Sequence, residues 1–130
     1  MKDLIDAAIA ARAKAHAPYS KFYVGAAMRD ERGNIHGGCN IENAAYPQGW
    51  CAECSAIAHL VMSGGKHITE IAVLGNGDVL CTPCGGCRQK IREFAAGDVK
   101  IHCCTENGSL LKTFTLEELL PASFGPENLK

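Results

Sequence analysis

Two cysteine-rich stretches carry the residues that could do chemistry in this chain. The first is "CAEC", residues 51–54, and the second is "CTPCGGC", residues 81–87. Each contains a CxxC pair, and two such pairs are typical of a closed structural zinc site with four thiolates. A carboxylate inside the first pair, Glu53, has no role in such a site. The sequence therefore predicts a metal and leaves open whether that metal serves structure or chemistry.

Glu53 falls on the apolar face of the helix that the first stretch opens. Glu53, Ile57 and Leu60 are spaced i, i+4 and i+7, so they share one stripe. A carboxylate on a buried stripe is costly unless it is paired or lies near a metal. The alternative, that Glu53 only complements the helix dipole in the first turn, is weakened by this position. We expect Glu53 to lie beside the metal.

The second cysteine helix presents its thiols in the same way. Cys84 and Cys87 fall on one stripe with the apolar residues of that helix, so both point towards the core side, where Cys51 could meet them. Helix N-termini stabilise negative sulfur. Three thiolates with one open position for water form the pattern of a catalytic zinc site.

A glutamate two positions after a ligand, followed by P-C-x-x-C, is also the signature of zinc deaminases. Here it reads C-A-E with P-C-G-G-C, and Cys51 replaces the histidine of that signature. In such a site zinc lowers the pKa of a bound water to about 7, and a nearby carboxylate can take the proton. The sequence thus favours a metal that serves chemistry.

Hydrophobic periodicity predicts helices and strands within one domain, residues 1–130. Helical spacing covers residues 3–16, 52–63, 87–97 and 116–120, and extended runs cover residues 22–28, 35–41, 67–75, 99–104 and 110–114. The first two extended runs flank the turn-rich segment "RDERGN" and predict a β-hairpin. Strands and helices alternate after residue 50, so we expect a mixed sheet with helices on both faces.

Composition and charge restrict the classes of function. The formal net charge is −1 without a basic stripe, which disfavours nucleic acid and favours a small-molecule substrate. The N-terminus does not resemble a signal peptide, and no apolar run approaches the ~18 residues of a membrane span. Eight cysteines without a secretion signal favour a reducing compartment. We therefore expect a cytoplasmic protein without a membrane partner.

Five motifs, in order and over nearly the whole chain, resemble those of one family. They are "PYSKFYVGAA", "GCNIENAAY", "CAE", "TPCGGCRQ" and "ELLPASFGPENL". Together they resemble the small nucleoside cytidine deaminases, which hold a zinc ion with three cysteines. The resemblance implies an α/β fold, a three-layer α/β/α sandwich around a five-stranded mixed sheet. It also implies the zinc-dependent hydrolytic deamination of cytidine and 2′-deoxycytidine to uridine and 2′-deoxyuridine, in pyrimidine salvage.

The resemblance assigns the metal and the proton chemistry. The zinc ligands that it implies are Cys51, Cys84 and Cys87, one ion per chain, with water or hydroxide in the fourth position. Zinc-bound hydroxide would attack C4 of cytosine. Glu53 would carry the proton to N3 and then to the departing amine.

The resemblance also implies how the substrate is held. Asn40 and Glu42 would contact the ribose hydroxyls, and their i, i+2 spacing on an extended segment lets both side chains point the same way. Phe22 would pack against the base. Tyr46 and Phe124 resemble residues that reach the active site of a neighbouring subunit, since small members of the family are typically homotetramers.

Cys54 departs from the family pattern, which usually has arginine at this position. That arginine can hydrogen-bond the ligand sulfurs and offset the net negative charge of zinc with three thiolates. We expect Cys54 to stay a neutral thiol beside the metal, with helix N–H groups compensating the charge and Arg88 a weaker substitute. The other cysteines are expected to be small buried residues: Cys39, Cys81, Cys103 and Cys104.

Two other functions stay open. A deaminase of another cytosine nucleoside, such as an aminonucleoside antibiotic, would share the metal site, although the intact "NIEN" segment and the "SFGP" tail argue against it. A structural zinc module that binds a protein partner would tolerate Glu53→Gln and have no open coordination position. Its ligands would be Cys51, Cys54, Cys84 and Cys87.

Overall fold

The computed structural model describes residues 1–129, and residue 130 of the predicted domain lies outside them. The strands are Gly25–Asp30 (β1), Ile35–Cys39 (β2), Ile68–Leu74 (β3), Lys100–Cys104 (β4) and Leu110–Thr115 (β5). The helices are Lys2–Arg12 (α1), Ala52–Met62 (α2), Gly85–Arg92 (α3) and Leu116–Leu119 (α4), with 3₁₀ turns at Tyr46–Gln48 and Pro126–Leu129. Within the described residues, no helix combines the length and apolarity needed to cross a membrane.

The strands form one mixed sheet in the order β2-β1-β3-β4-β5. β1 pairs antiparallel with β2, as the predicted hairpin requires, and also with β3. β3 and β4 are parallel, and β5 is antiparallel to β4. Parallel neighbours need a crossover, which α3 and its flanking loops supply. The carboxyl ends of β3 and β4 therefore share one edge of the sheet.

Helices cover both faces of this sheet. Alternate residues of β3 point to opposite faces. Leu74 belongs to the buried cluster under α1 with Leu4, and Val73 belongs to the cluster under α2 and α3 with Leu60 and Ile91. The predicted three-layer α/β/α sandwich with its five-stranded mixed sheet is confirmed.

The first helix is shorter than its sequence pattern predicts. α1 ends at Arg12 rather than at residue 16. The backbone of His16 is used elsewhere, because its N–H donates to the carbonyl of Asn40 (3.0 Å) and its carbonyl accepts from the N–H of Glu42 (2.8 Å). α3 likewise ends at residue 92 rather than 97. The pairing of His16 brings the end of α1 to the segment that carries Asn40 and Glu42.

Candidate active site

The two cysteine stretches meet at the N-termini of α2 and α3. Cys51 is the N-cap residue of α2, Cys84 is the N-cap residue of α3, and both have extended backbone conformations. Their sulfur atoms lie 3.9 Å apart. Cys87, in the first turn of α3, completes a cluster in which the three sulfur atoms lie within 4.8 Å of one another. The positive ends of two helix dipoles therefore converge on three sulfur atoms.

This arrangement fits a tetrahedral zinc ion. With Zn–S distances of about 2.3 Å, two ligand sulfurs of a tetrahedral site lie about 3.8 Å apart, close to the distance between Cys51 and Cys84. Cys51 and Cys84 are exposed and Cys87 is buried, so the cluster can be reached from solvent. Three sulfur ligands leave one coordination position for water, which is the catalytic rather than the structural pattern.

Glu53 lies in the first turn of α2 and is only 4% exposed. Its helix neighbours Ile57 and Leu60 are buried with it, as the shared stripe predicts. Burial raises the pKa of the Glu53 carboxyl group, opposed by hydrogen bonds from its own backbone and from the Cys87 thiol. The contact with Cys87 places this carboxyl group beside the sulfur cluster.

A cavity of about 420 Å³ opens at the cluster. This volume lies in the range of small-molecule pockets, about 300–1,000 Å³. The cavity brings together most of the residues singled out from the sequence, namely Phe22, Asn40, Glu42, Tyr46, Cys51, Glu53 and Cys84. Loops before β1 and after β2 therefore meet the N-terminus of α2 and the loop before α3 around one space.

Asn40 and Glu42 hold the loop that carries Phe22. The Nδ2 of Asn40 donates to the carbonyl of Phe22 (2.8 Å), and its Oδ1 accepts from the N–H of Val24 (2.9 Å). Glu42 accepts from the N–H of Ser20 (3.1 Å) and from the Ser20 hydroxyl. The bond from that hydroxyl is the main cause that lowers the pKa of Glu42, so its carboxylate is ionised at neutral pH. Both side chains therefore line the cavity with their polar atoms already engaged.

Cys54 lies outside the sulfur cluster, and Arg88 is engaged elsewhere. The cluster found among residues 1–129 has three members, and the half-buried Cys54 is not one of them. Arg88 donates to the carbonyls of Pro83 (2.7 Å) and Leu119 (2.9 Å) and to the hydroxyl of Thr82 (3.0 Å). It ties the loop before α3 to the end of α4, and the helix N-termini are left to offset the charge of the sulfurs.

Two of the predicted substrate residues lie on the surface. Tyr46, expected to reach a neighbouring subunit, lines the cavity of its own chain and is 75% exposed. Phe124 is 57% exposed and does not belong to the lining of this cavity. Its carbonyl accepts from Nε2 of Gln89 (2.9 Å), which anchors the C-terminal segment beside α3.

The remaining cysteines divide into two groups. Cys103 and Cys104 are buried in β4, as expected. The same prediction is wrong for Cys39 and Cys81, which are partly exposed. Cys39 ends the edge strand β2, and Cys81 lines the cavity. Thr82 and Trp50 also line the cavity, and their sequence positions next to cysteines were the only signal for them.

Residues 1–103 match the family model described as the cytidine and deoxycytidylate deaminase zinc-binding region. The chain belongs to this deaminase family. It is 42% identical over 119 residues to the cytidine deaminase of Sporosarcina psychrophila, covering 92% of this chain and 87% of that protein. It is 38% identical over 126 residues to the cytidine deaminase of Halalkalibacterium halodurans, covering 97% and 95%.

Solved structures of deaminases share the fold of this family member. The crystal structure of cytidine deaminase from Burkholderia pseudomallei matches with a TM-score of 0.87 at 38% identity, covering 95% of this chain and 98% of that one. The crystal structure of cytidine deaminase from Mycobacterium tuberculosis matches with a TM-score of 0.83 at 33% identity, covering 95% and 96%. The likeness therefore includes the C-terminal segment beyond residue 103.

Membership of this deaminase family accounts for the sulfur cluster. The matched region is described as zinc-binding, and the group that could hold the ion is Cys51, Cys84 and Cys87. Zinc is therefore the cofactor of the protein.

Proposed function

We propose that this chain is a cytidine deaminase that converts cytidine and 2′-deoxycytidine to uridine and 2′-deoxyuridine, with release of ammonia, in pyrimidine salvage. The observation that carries the proposal is the buried Glu53 beside a three-sulfur cluster at the cavity. Hydrolytic deamination needs such a group, because protons must move from water to the ring and to the leaving amine. The similarity to cytidine deaminases supports the choice of substrate.

Glu53 would move the protons of the reaction. When bound, the zinc ion would acidify a water at its open coordination position for attack on C4 of cytosine. Glu53 would take a proton from this water and deliver it to N3. It would then carry the second proton of that water to the amino group, which leaves as ammonia while the ring keeps the oxygen.

The cavity would hold the nucleoside from two sides. Asn40 and Glu42 lie two residues apart, and an amide with a carboxylate offers both donors and acceptors to ribose hydroxyls. Phe22 would pack against the pyrimidine, since it lines the cavity and is 43% exposed. The sugar and the base would thus be recognised by residues that also contact each other.

We further propose that residues 1–130 form one catalytic domain of a cytoplasmic homotetramer. Tyr46, Trp50 and Phe124 are large aromatic side chains that are each at least half exposed, a surface that a second subunit would cover. Phe124 would then reach the active site of a neighbour. All eight cysteines are free, which suits a reducing compartment.

The experiment compares the wild type with Glu53→Gln. Loss of ultraviolet absorbance on addition of cytidine measures deamination, and metal analysis measures zinc. We expect an active wild type, a rate lower by roughly 10²–10⁴-fold in the variant, and about one zinc per chain in both. Glu93→Gln, an exposed position after α3, is the matched control. A wild type that is loaded with zinc and inert would overturn the proposal.

A further inference from the structure

Phe22 lies at the cavity on a loop whose position depends on hydrogen bonds as well as on side-chain packing. Its side chain is 43% exposed. The preceding residue, Lys21, has φ of 60°, the left-handed region that residues other than glycine rarely adopt. Such a conformation persists only where surrounding contacts hold it in place. The contacts around Lys21, together with the bond from Asn40 to the carbonyl of Phe22, therefore fix where the Phe22 ring points.

Asn76 supplies contacts on both sides of Phe22. Its Nδ2 donates to the carbonyl of Lys21 (3.0 Å), and its Oδ1 accepts from the N–H of Tyr23 (3.0 Å). The residue comes two positions after Leu74, the last residue of β3, which is the central strand of the sheet. One amide thus binds the two peptide groups that flank Phe22 to the end of the central strand.

The orientation of this amide is itself determined. Its Oδ1 also accepts from Nη2 of Arg12 (2.7 Å), and a guanidinium can only donate. The side-chain oxygen of Asn76 must face the two donors, Arg12 and the N–H of Tyr23, and its nitrogen must face the carbonyl of Lys21. Arg12 adds a further contact to the same loop, because its Nε donates to the carbonyl of Tyr23 (3.0 Å). Its Nη2 also lies 3.1 Å from the carboxylate of Glu106.

Asn76 lies behind Phe22 rather than in the cavity. It does not belong to the cavity lining. A Cβ placed on its neighbour Gly75 would be only 3.0 Å from Cζ of Phe22, so the ring lies directly over this end of β3. Asn76 therefore acts on a bound base indirectly, through the loop that carries Phe22.

We propose that Asn76 is a positioning residue for Phe22 that sets the affinity for the pyrimidine ring. The inference rests on the proposed function, in which Phe22 packs against the base. Such packing is present in both the bound substrate and the transition state, so its loss raises KM more than it lowers kcat. Asn76 would thus determine how tightly the cytosine nucleoside is held.

The test measures KM and kcat for cytidine in the zinc-loaded protein with Asn76→Ala, Phe22→Ala and the double variant. We expect Asn76→Ala to raise KM about tenfold with kcat changed less than about twofold. If Asn76 acts through Phe22, the double variant has the KM of Phe22→Ala alone, which is the non-additivity of coupled residues. Asn107→Ala, an exposed asparagine of the β4–β5 turn, is the control and leaves KM unchanged.

A second measurement does not depend on turnover. The N–H of Tyr23 is bound by Asn76, so its hydrogen exchange is expected to become faster in Asn76→Ala than in the wild type. Should Asn76→Ala fail to fold, Asn76→Asp takes its place, because a carboxylate keeps the acceptor for Arg12 and Tyr23 and replaces the donor to Lys21 with a second acceptor that repels the Lys21 carbonyl. That variant is also expected to raise KM.

The outcomes separate the two proposals. An active wild type in which Asn76→Ala leaves KM unchanged, or in which the effects of Asn76→Ala and Phe22→Ala multiply, overturns this inference alone. A zinc-loaded wild type that does not deaminate cytidine overturns the proposed function, and the inference falls with it.

Discussion

The sulfur atoms of Cys51 and Cys84 lie 3.9 Å apart although 33 residues separate them in the chain. Each residue is the N-cap of a different helix, so two helix N-termini bracket the metal position. N–H groups at these termini stabilise negative charge without a cationic side chain. The packing of α2 against α3 on one face of the sheet therefore sets both the spacing of these sulfur atoms and the electrostatics around them.

Removal of Cys54 is expected to leave the metal in place. Its thiol lies outside the three-sulfur cluster, so Cys54→Ala keeps about one zinc per chain, whereas Cys51→Ala loses one of three ligands and most of its zinc. Metal analysis after dialysis against a weak chelator measures the difference. Equal loss of zinc from both variants would show a four-thiolate site and would falsify the three-ligand assignment.

Glu42→Gln is expected to weaken substrate use. The change removes the charge of an acceptor that contacts Ser20 now and would contact a ribose hydroxyl in the complex. Hydrogen bonds to charged groups contribute about 1.5–3 kcal/mol, so kcat/KM is expected to fall roughly 10–100-fold. Steady-state kinetics with cytidine check this, with Glu93→Gln as the exposed control. A fall no larger than in the control would remove Glu42 from the binding site.

Gly38→Ala is expected to displace the helix that carries Glu53. A Cβ on Gly38 would lie 2.3 Å from the nitrogen of Ala56 and 2.4 Å from the carbonyl of Ala52, both backbone atoms of α2. Overpacking of this kind costs about 1–3 kcal/mol or more. Urea unfolding measures the loss.

The neighbouring glycine provides the matched control for that measurement. A Cβ on Gly37 would meet Cβ of Ala11 at 3.4 Å, an ordinary contact with a side chain on the other face. Gly37→Ala is therefore expected to be tolerated much better than Gly38→Ala. Equal destabilisation by the two variants would contradict the close packing of α2 on β2.

Asp30→Asn is expected to change how stability depends on pH. Burial alone would raise the pKa of Asp30, but hydrogen bonds from His36, Arg32 and the backbone of Asn34 lower it overall. A lowered pKa in the folded state contributes stability that is complete above the unfolded value of about 3.9 and is lost as the pH falls towards the folded value. The wild type should therefore exceed the variant in stability at pH 7.

This difference should shrink as the pH falls below about 4. Urea unfolding at a series of pH values measures it, with the exposed Asp98→Asn as the control. A difference that stays constant across the series would mean that the ionised carboxylate of Asp30 is not what stabilises the fold.

The sequence alone was sufficient to predict the helices and strands and the buried helix faces that carry Glu53 and Cys87. The position of Glu53 on a buried stripe follows from the period of one helix, and so does the burial of Cys87 with Ile91 on α3. Cys84 was expected on the same buried face, but it is the exposed N-cap residue of α3. The alternation of strands and helices was sufficient to predict a sheet covered on both faces. These features can be predicted from the sequence because each depends on residues that are close together in the chain.

Only the tertiary structure decided which groups meet across the chain. Four cysteines in two CxxC pairs are equivalent in spacing, and the packing of two helix ends excludes Cys54 from the cluster. Arg88 is directed to the loop before α3, and Asn76 reaches Lys21 across 55 residues. Such partners depend on the order of strands in the sheet, since β1 lies beside β3 and brings the Phe22 loop to its end. No local pattern encodes that proximity.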